Sequence, residues 1–178
     1  MPAGKKIILR EKKISDMSHD YTWRCDPELS SYDGVPPLKM SYQEYALYYA
    51  WDLHNGDRIR RWFAIDSVDG NGNKHIGNCM YYDVDKDRKQ SKLGIMIGDR
   101  EYWDRGYGAD AVNTLVSHIF ESTDINRIYL DTLEWNIRAQ HCFQKCGFVV
   151  CGRVSRRGNE FLIMELHRSC LQESEPDT

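Results

Sequence analysis

Chemistry in this chain is most legible in the segment Trp103-Asp104-Arg105-Gly106-Tyr107-Gly108-Ala109, which joins a strand pattern to a strongly amphipathic helix pattern. Glycines at such a junction let successive backbone amides converge, and a helix start adds unpaired N–H groups and a positive dipole end, so the natural guest is a phosphate. The lysine of a nucleotide-hydrolase phosphate loop is missing, as is the third glycine of a dinucleotide fingerprint. Six histidines, at 19, 54, 75, 118, 141 and 167, show no metal-ligand spacing, so no metal is expected. No serine or cysteine nucleophile motif accompanies them, which argues against a covalent acyl-enzyme.

The elements that must hold this turn follow from periodicity. Strands are expected at 5–10, 60–65, 74–84, 93–98, 127–133, 148–156 and 160–167, and helices after Ser15-Asp16, after Ser41, after Gly108 and from Asn136 to Cys146. Ser41 and Glu44 make a capping box, Asp26-Pro27 reads as a break, and Asn55-Gly56 as a stop. Asp69 to Asn73 reads as a turn and Gly147 as a helix terminator. After Gly108 the apolar residues Ala111, Val112, Leu115, Val116, Ile119 and Phe120 give the core-facing stripe of the best helix in the chain. Strands and helices in this order predict an α+β domain, a mixed sheet with helices on both faces.

The chain has 178 residues, 41% hydrophobic and 29% charged, with net charge −3, which describes one ordinary domain over 1–168 with a flexible polar tail at 169–178. Nothing in the charge balance calls for nucleic acid. No run approaches the ~18 apolar residues of a membrane span, so a cytoplasmic protein without a membrane partner is expected. The six cysteines form no C-x-x-C pair, and Cys142 and Cys146 fall on the buried face of a helix, so reduced thiols are expected.

Residues 98–111, Gly98-Asp99-Arg100-Glu101-Tyr102-Trp103-Asp104-Arg105-Gly106-Tyr107-Gly108-Ala109-Asp110-Ala111, resemble the pyrophosphate-binding motif of the GNAT acetyltransferases, Gln/Arg-x-x-Gly-x-Gly/Ala. Trp103 stands where glutamine or arginine is usual, as in the branch that acetylates ribosomal-protein N-termini. A second segment, Leu133 to Ala139 followed by Phe143 to Phe148, is similar to the family's Asn-x-x-Ala, aromatic, Gly-Phe pattern.

The resemblance implies a mainly antiparallel GNAT-like sheet and an acetyl-coenzyme A-dependent N-acetyltransferase acting directly on a primary amine, either a protein N-terminus or a small molecule. It implies that amides of Ile95, Met96 and Ile97 meet the pantetheine arm, that the segment from Trp103 through Arg105, Gly106, Tyr107 and Gly108 to Ala109 cradles the pyrophosphate, and that Asn136 and Phe143 complete the cofactor wall. Asp131, five residues before Asn136, inherits the base role, with Glu134 as its rival. The family's proton-donating tyrosine is Phe143 here, which leaves a non-catalytic acyl-coenzyme A sensor as the alternative. Trp23, Asp26, Glu28, Asp33 and Tyr42 are expected to form an acceptor pocket suited to a cationic amine, and exposed edge strands suggest a homodimer.

Overall fold

A computed structural model describes residues 1–55, 60–68 and 72–172. Seven strands form one sheet: β1 (Ile7–Arg10), β2 (Arg61–Val68), β3 (Asn73–Asp85), β4 (Gln90–Ile97), β5 (Arg127–Leu133), β6 (Val149–Arg156) and β7 (Asn159–His167). Their order is β1-β2-β3-β4-β5-β7-β6, and every neighbouring pair is antiparallel except β4 with β5. The helices are α1 (Met17–Cys25), α2 (Pro27–Tyr32), α3 (Tyr42–Asn55), α4 (Tyr107–Ser122), α5 (Ile137–Lys145) and a terminal turn α6 (Arg168–Gln172).

The periodicity of α4 is realised in its burial: Ala111, Val112, Leu115, Val116, Ile119 and Phe120 all lie in the core, against Ile65, Cys79, Tyr81 and Leu93 of the sheet. The other face of the sheet carries α1 to α3, with Asn78 bonded to Asp20 of α1 and Gly98 packed under Trp23. Helices therefore cover both faces, and the fold is α+β.

Local signals account for most helix ends. The Ser41–Glu44 box is reciprocal: Ser41 N donates to Glu44 Oε2 at 2.9 Å and Glu44 N to Ser41 Oγ at 3.3 Å. Gly147, at φ +87°, ends α5 with Gly147 N bonded to Gln144 O and Phe148 N to Phe143 O, the paired C-terminal bonds of a Schellman motif.

Three expectations change. Asp26-Pro27 is not only a break, because Asp26 accepts from the amides of Glu28 and Leu29 and Pro27 occupies the first turn, starting α2. Asp16 makes no side-chain cap for α1, since its carboxylate is held by Arg10. Residues 168–172 of the C-terminal segment form a helical turn, anchored by Arg168, whose guanidinium donates to the carbonyls of Phe120, Thr123 and Ile125 at the end of α4. The Gly56 stop, the Asp69 to Asn71 part of the turn and the tail from 173 lie outside the described residues.

Candidate active site

The parallel pair β4–β5 is the irregular place in the sheet. Its ladder consists of Gln90–Arg127, Ser91–Ile128 and Lys92–Tyr129 and then stops, although β4 continues to Ile97 and β5 to Leu133. Beyond Lys92 the two strands diverge, and the β5-facing edge of β4 is left without a strand partner. A cleft of about 1680 Å³ opens there, lined by Leu93 to Ile97 on one side and by Leu130, Asp131 and Thr132 on the other. That volume exceeds the ~300–1,000 Å³ of a single small-molecule site, so the cleft has room for two reactants.

At the far end of β4 the chain turns into α4. Gly106 is the N-cap residue at φ +83° and ψ 0°, a left-handed conformation that favours glycine. The first-turn amides that follow it have no partner within the helix, which makes this end an anion site. A Cβ placed at Gly108 would meet Cys142 Sγ at 3.6 Å and Ile97 Cγ1 at 3.8 Å, so the bare backbone sits where α4, α5 and β4 meet. A pyrophosphate-bearing ligand laid along the free edge of β4 fits this geometry.

Of the residues assigned to a cofactor, Ile95, Met96, Ile97, Trp103, Gly106, Gly108, Ala109, Asn136 and Phe143 all line the cleft. Arg105 turns away: its guanidinium donates to Glu101 O at 3.0 Å and lies over the rings of Tyr102 and Tyr107. Tyr107 is buried in the core cluster, so only its backbone is left to serve the turn. The Trp103 indole N–H donates to Ile97 O at 2.7 Å, tying the glycine turn to the end of β4.

Over the Trp103 ring, 3.6 Å from its centroid, lies the guanidinium of Arg138, a cation that sequence reasoning left unassigned. Its position beside Asn136 at the start of α5 was the available signal. Asn136 Oδ1 accepts from Ala139 N at 3.2 Å and caps α5, while its Nδ2 makes no hydrogen bond among the described residues. Phe143 is buried against Phe148.

The two carboxylates expected to act as bases occupy different places. Glu134 lies outside the cleft lining and pairs with Arg153 at 3.1 Å. Asp131 lines the cleft, but the same oxygen, Oδ2, accepts from Lys92 Nζ at 2.5 Å and from the Arg156 guanidinium. Asp131 thus stands in the cleft between two cations. Above this cluster stands Tyr82, a cleft residue missed in the sequence; burial, then the neighbouring charge of Asp131, push its phenol up to about 12, so it stays protonated near neutral pH.

The acceptor-side wall differs from expectation. Trp23 is buried against Gly98 and His75, Asp26 and Glu28 are both held by Arg100, and Tyr42 packs edge-on against Tyr21 outside the cleft. Asp33 alone of the five lines the cleft, with Tyr45, Tyr48, Tyr49 and Trp62 supplying the aromatic surface. Behind this wall is a buried polar network. Arg10 bonds both oxygens of Asp16 and one of Asp66, and Asp20 accepts from Lys12, Tyr49 and Asn78. Burial would raise the Asp16 pKa, but the hydrogen bonds from Arg10 and the Lys13 amide outweigh it and hold it low. Burial lowers His75, which is therefore neutral.

All six cysteines are free thiols, no group of three His, Cys, Asp or Glu is placed to hold a metal among the described residues, and none of the described helices is long and apolar enough to cross a membrane.

Comparison with known proteins adds the following. The family model described as "Acetyltransferase (GNAT) domain" matches residues 6–149. A probable spermine N(1)-acetyltransferase from Bacillus subtilis subsp. natto is 30% identical over 96 residues, 51% of this chain and 63% of that protein, so the chain spans less than two thirds of this relative's length. The spermidine N(1)-acetyltransferase of Vibrio cholerae is 22% identical over 151 residues, 85% of this chain and 83% of that one. Among solved structures, aminoglycoside acetyltransferase AAC(6')-Ib with ribostamycin and coenzyme A superposes with TM-score 0.80 at 17% identity, covering 98% of this chain and 100% of that one. Spermidine N-acetyltransferase from Vibrio cholerae with coenzyme A and spermine gives TM-score 0.78 at 21% identity, covering 92% and 96%.

Proposed function

The chain belongs to the GNAT acetyltransferase domain family, and from that premise we propose that it is an acetyl-coenzyme A-dependent N-acetyltransferase whose acceptor is a small-molecule primary amine. The observation that carries the reading is the divergence of β4 from β5 beyond Lys92, ending at the left-handed Gly106 and the open N-terminus of α4. The free edge of β4 would hold an extended thioester ligand, the amides at Gly108 and Ala109 would hold its pyrophosphate, and Arg138 would add a cation at that end. When bound, acetyl-coenzyme A supplies an activated acetyl group as co-substrate.

The chain's own residues have three tasks. Asn136 sets the start of α5 and presents a free amide to the pantetheine side. Phe143, buried where the family places a tyrosine, closes the wall without donating a proton. The aromatic and acidic surface around Tyr45, Tyr48, Tyr49, Trp62, Asp33 and Asp52 receives an ammonium group. The named relatives act on spermine, spermidine or aminoglycosides, which favours a small amine over a ribosomal-protein N-terminus.

The second reading, a sensor that binds acyl-coenzyme A without turnover, draws on Phe143 and on the double ion pairing of Asp131. Free thiol released from acetyl-coenzyme A, measured across polyamines, aminoglycosides, amino acids and a serine-initiated peptide, separates the two. Amine-dependent release supports the enzyme; binding of the cofactor with no release by any amine supports the sensor.

A further inference from the structure

Six carboxylates line the cleft: Glu11, Asp20, Asp33, Asp52, Asp104 and Asp131. Asp20 and Asp131 are committed to neighbours, as described above. Asp104 belongs to the glycine turn, and Glu11 and Asp52 stand on the side of β1 and α3. Asp33 is different in place and in company. It is the C-cap residue of α2, followed by Gly34 at φ +66°. A Cβ at Gly34 would lie 2.7 Å from Phe161 Cζ and 3.7 Å from Leu133 Cδ2. The turn is thus pressed by its glycine onto β7 and the end of β5, which brings the preceding carboxylate to the region where β4 and β5 part.

The backbone N–H of Asp33 closes the end of α2 on Ser30 O, but its carboxylate makes no hydrogen bond or ion pair with the described residues. Although Asp33 is exposed at the residue level, protein surrounds the carboxylate closely enough that desolvation raises its pKa, against an opposing pull from Arg24. The charge of Asp33 is felt by Arg24 of α1 and Tyr82 of β3, and Lys92 of β4, Asp131 of β5 and Arg156 of β6 line the same cleft. Two of these are already consumed with Asp131, and Tyr82 keeps its proton. Asp33 is left as the carboxylate with free lone pairs near Tyr82, beside the place where β4 and β5 part.

On the reading of the chain as an N-acetyltransferase, we propose that Asp33 is the residue that receives the acceptor ammonium and takes its proton. The proton passes from nitrogen to a carboxylate oxygen of Asp33. The freed nitrogen lone pair forms the C–N bond to the acetyl carbonyl carbon, the C–S bond breaks, and its electron pair leaves on the coenzyme A sulphur. The second nitrogen proton ends on that sulphur, and Asp33 returns its proton to water.

The test compares wild type, Asp33→Asn, Asp33→Glu and Asp131→Asn, using the best amine from the panel and measuring kcat/KM from about pH 5.5 to 9.5, together with calorimetric binding of acetyl-coenzyme A and of the amine to the coenzyme A complex. Asp33→Asn is expected to lower kcat/KM by about 10²- to 10⁴-fold and to remove the acidic limb of the profile, with acetyl-coenzyme A affinity unchanged within about twofold. Amine binding should weaken, Asp33→Glu should recover part of the rate, and Asp131→Asn should keep the acidic limb. Asp33→Asn turning over within about threefold of wild type with its acidic limb intact would overturn the assignment while leaving the enzyme reading in place. Absence of turnover by the wild-type chain with every amine would overturn both.

Discussion

Replacing Asp131 by Asn separates a structural counter-ion from a working base. The side chains of Asp131 and Lys92 are only 10% and 14% exposed, and their N···O distance is 2.5 Å. Removing one partner of a fully buried pair costs about 3–5 kcal/mol. Here the cleft admits water and an asparagine oxygen still accepts a hydrogen bond, so we expect about 1–2 kcal/mol from Lys92. Arg156, 46% exposed, adds no more than about 0.5 kcal/mol. For a chain of this size that corresponds to a Tm lower by about 2–10 °C. A double-mutant cycle with Lys92→Met should return a coupling of about 1–2 kcal/mol, and kcat with the best amine should fall less than about tenfold. Unchanged Tm with kcat reduced about 10²-fold or more, and a lost acidic limb, would refute the counter-ion assignment and restore Asp131 as the base.

Stability should fall as pH drops from about 7 to 5. His75 has a lowered pKa in the folded state, so below the ordinary histidine value of about 6.5 the unfolded chain binds more protons, and the stability present above that value is lost. Asp16, also lowered, extends the loss into the carboxylate range, whereas the raised Asp33 contributes with the opposite sign, so the histidine part is isolated by comparison with His75→Gln. Thermal melts across this range should show a flatter profile for the variant; superimposable profiles would contradict the buried neutral histidine. At Asn136, replacement by Ala should cost about 1 kcal/mol through the lost cap, while Ser keeps the cap oxygen and removes the amide. Both variants should bind acetyl-coenzyme A more weakly in calorimetry; wild-type affinity in both would reduce Asn136 to a helix cap.

What could be read from the sequence was local. The stripe of α4, the box at Ser41–Glu44 and the stop at Gly147 each depend on residues within a turn or two, and all three form as expected. The glycine turn was legible because Gly106 and Gly108 sit between a strand pattern and a helix pattern. The start of α2 is present in the sequence as an Asp-Pro signal, which by itself marks only a boundary.

The remaining differences come from partners distant in the chain. Lys92 and Arg156 reach Asp131 across 39 and 25 residues, and Arg100 reaches Glu28 and Asp26 across 72 and 74, so the consumption of these carboxylates follows from strand order and not from local pattern. Asp33 is not set apart from Trp23, Asp26, Glu28 and Tyr42 in the expected acceptor pocket, because nothing in the sequence distinguishes a paired carboxylate from a free one. The tryptophan at 103, read through a ribosomal-protein branch, acts in this structure as a tie to Ile97 and a platform for Arg138.

The central claim, that the opening between β4 and β5 and the helix start at Gly106 form an acetyl-coenzyme A site, is tested most directly by calorimetric titration of wild type and Gly106→Glu with acetyl-coenzyme A, with ATP as control. Gly106 sits at φ +83°, where any side chain is strained, and glutamate adds a negative charge at the proposed pyrophosphate position. The account predicts one-to-one binding by wild type, none of comparable strength with ATP, and affinity reduced by at least about 100-fold in the variant. Absence of binding by the wild-type chain, or equal affinity in the variant, would contradict it.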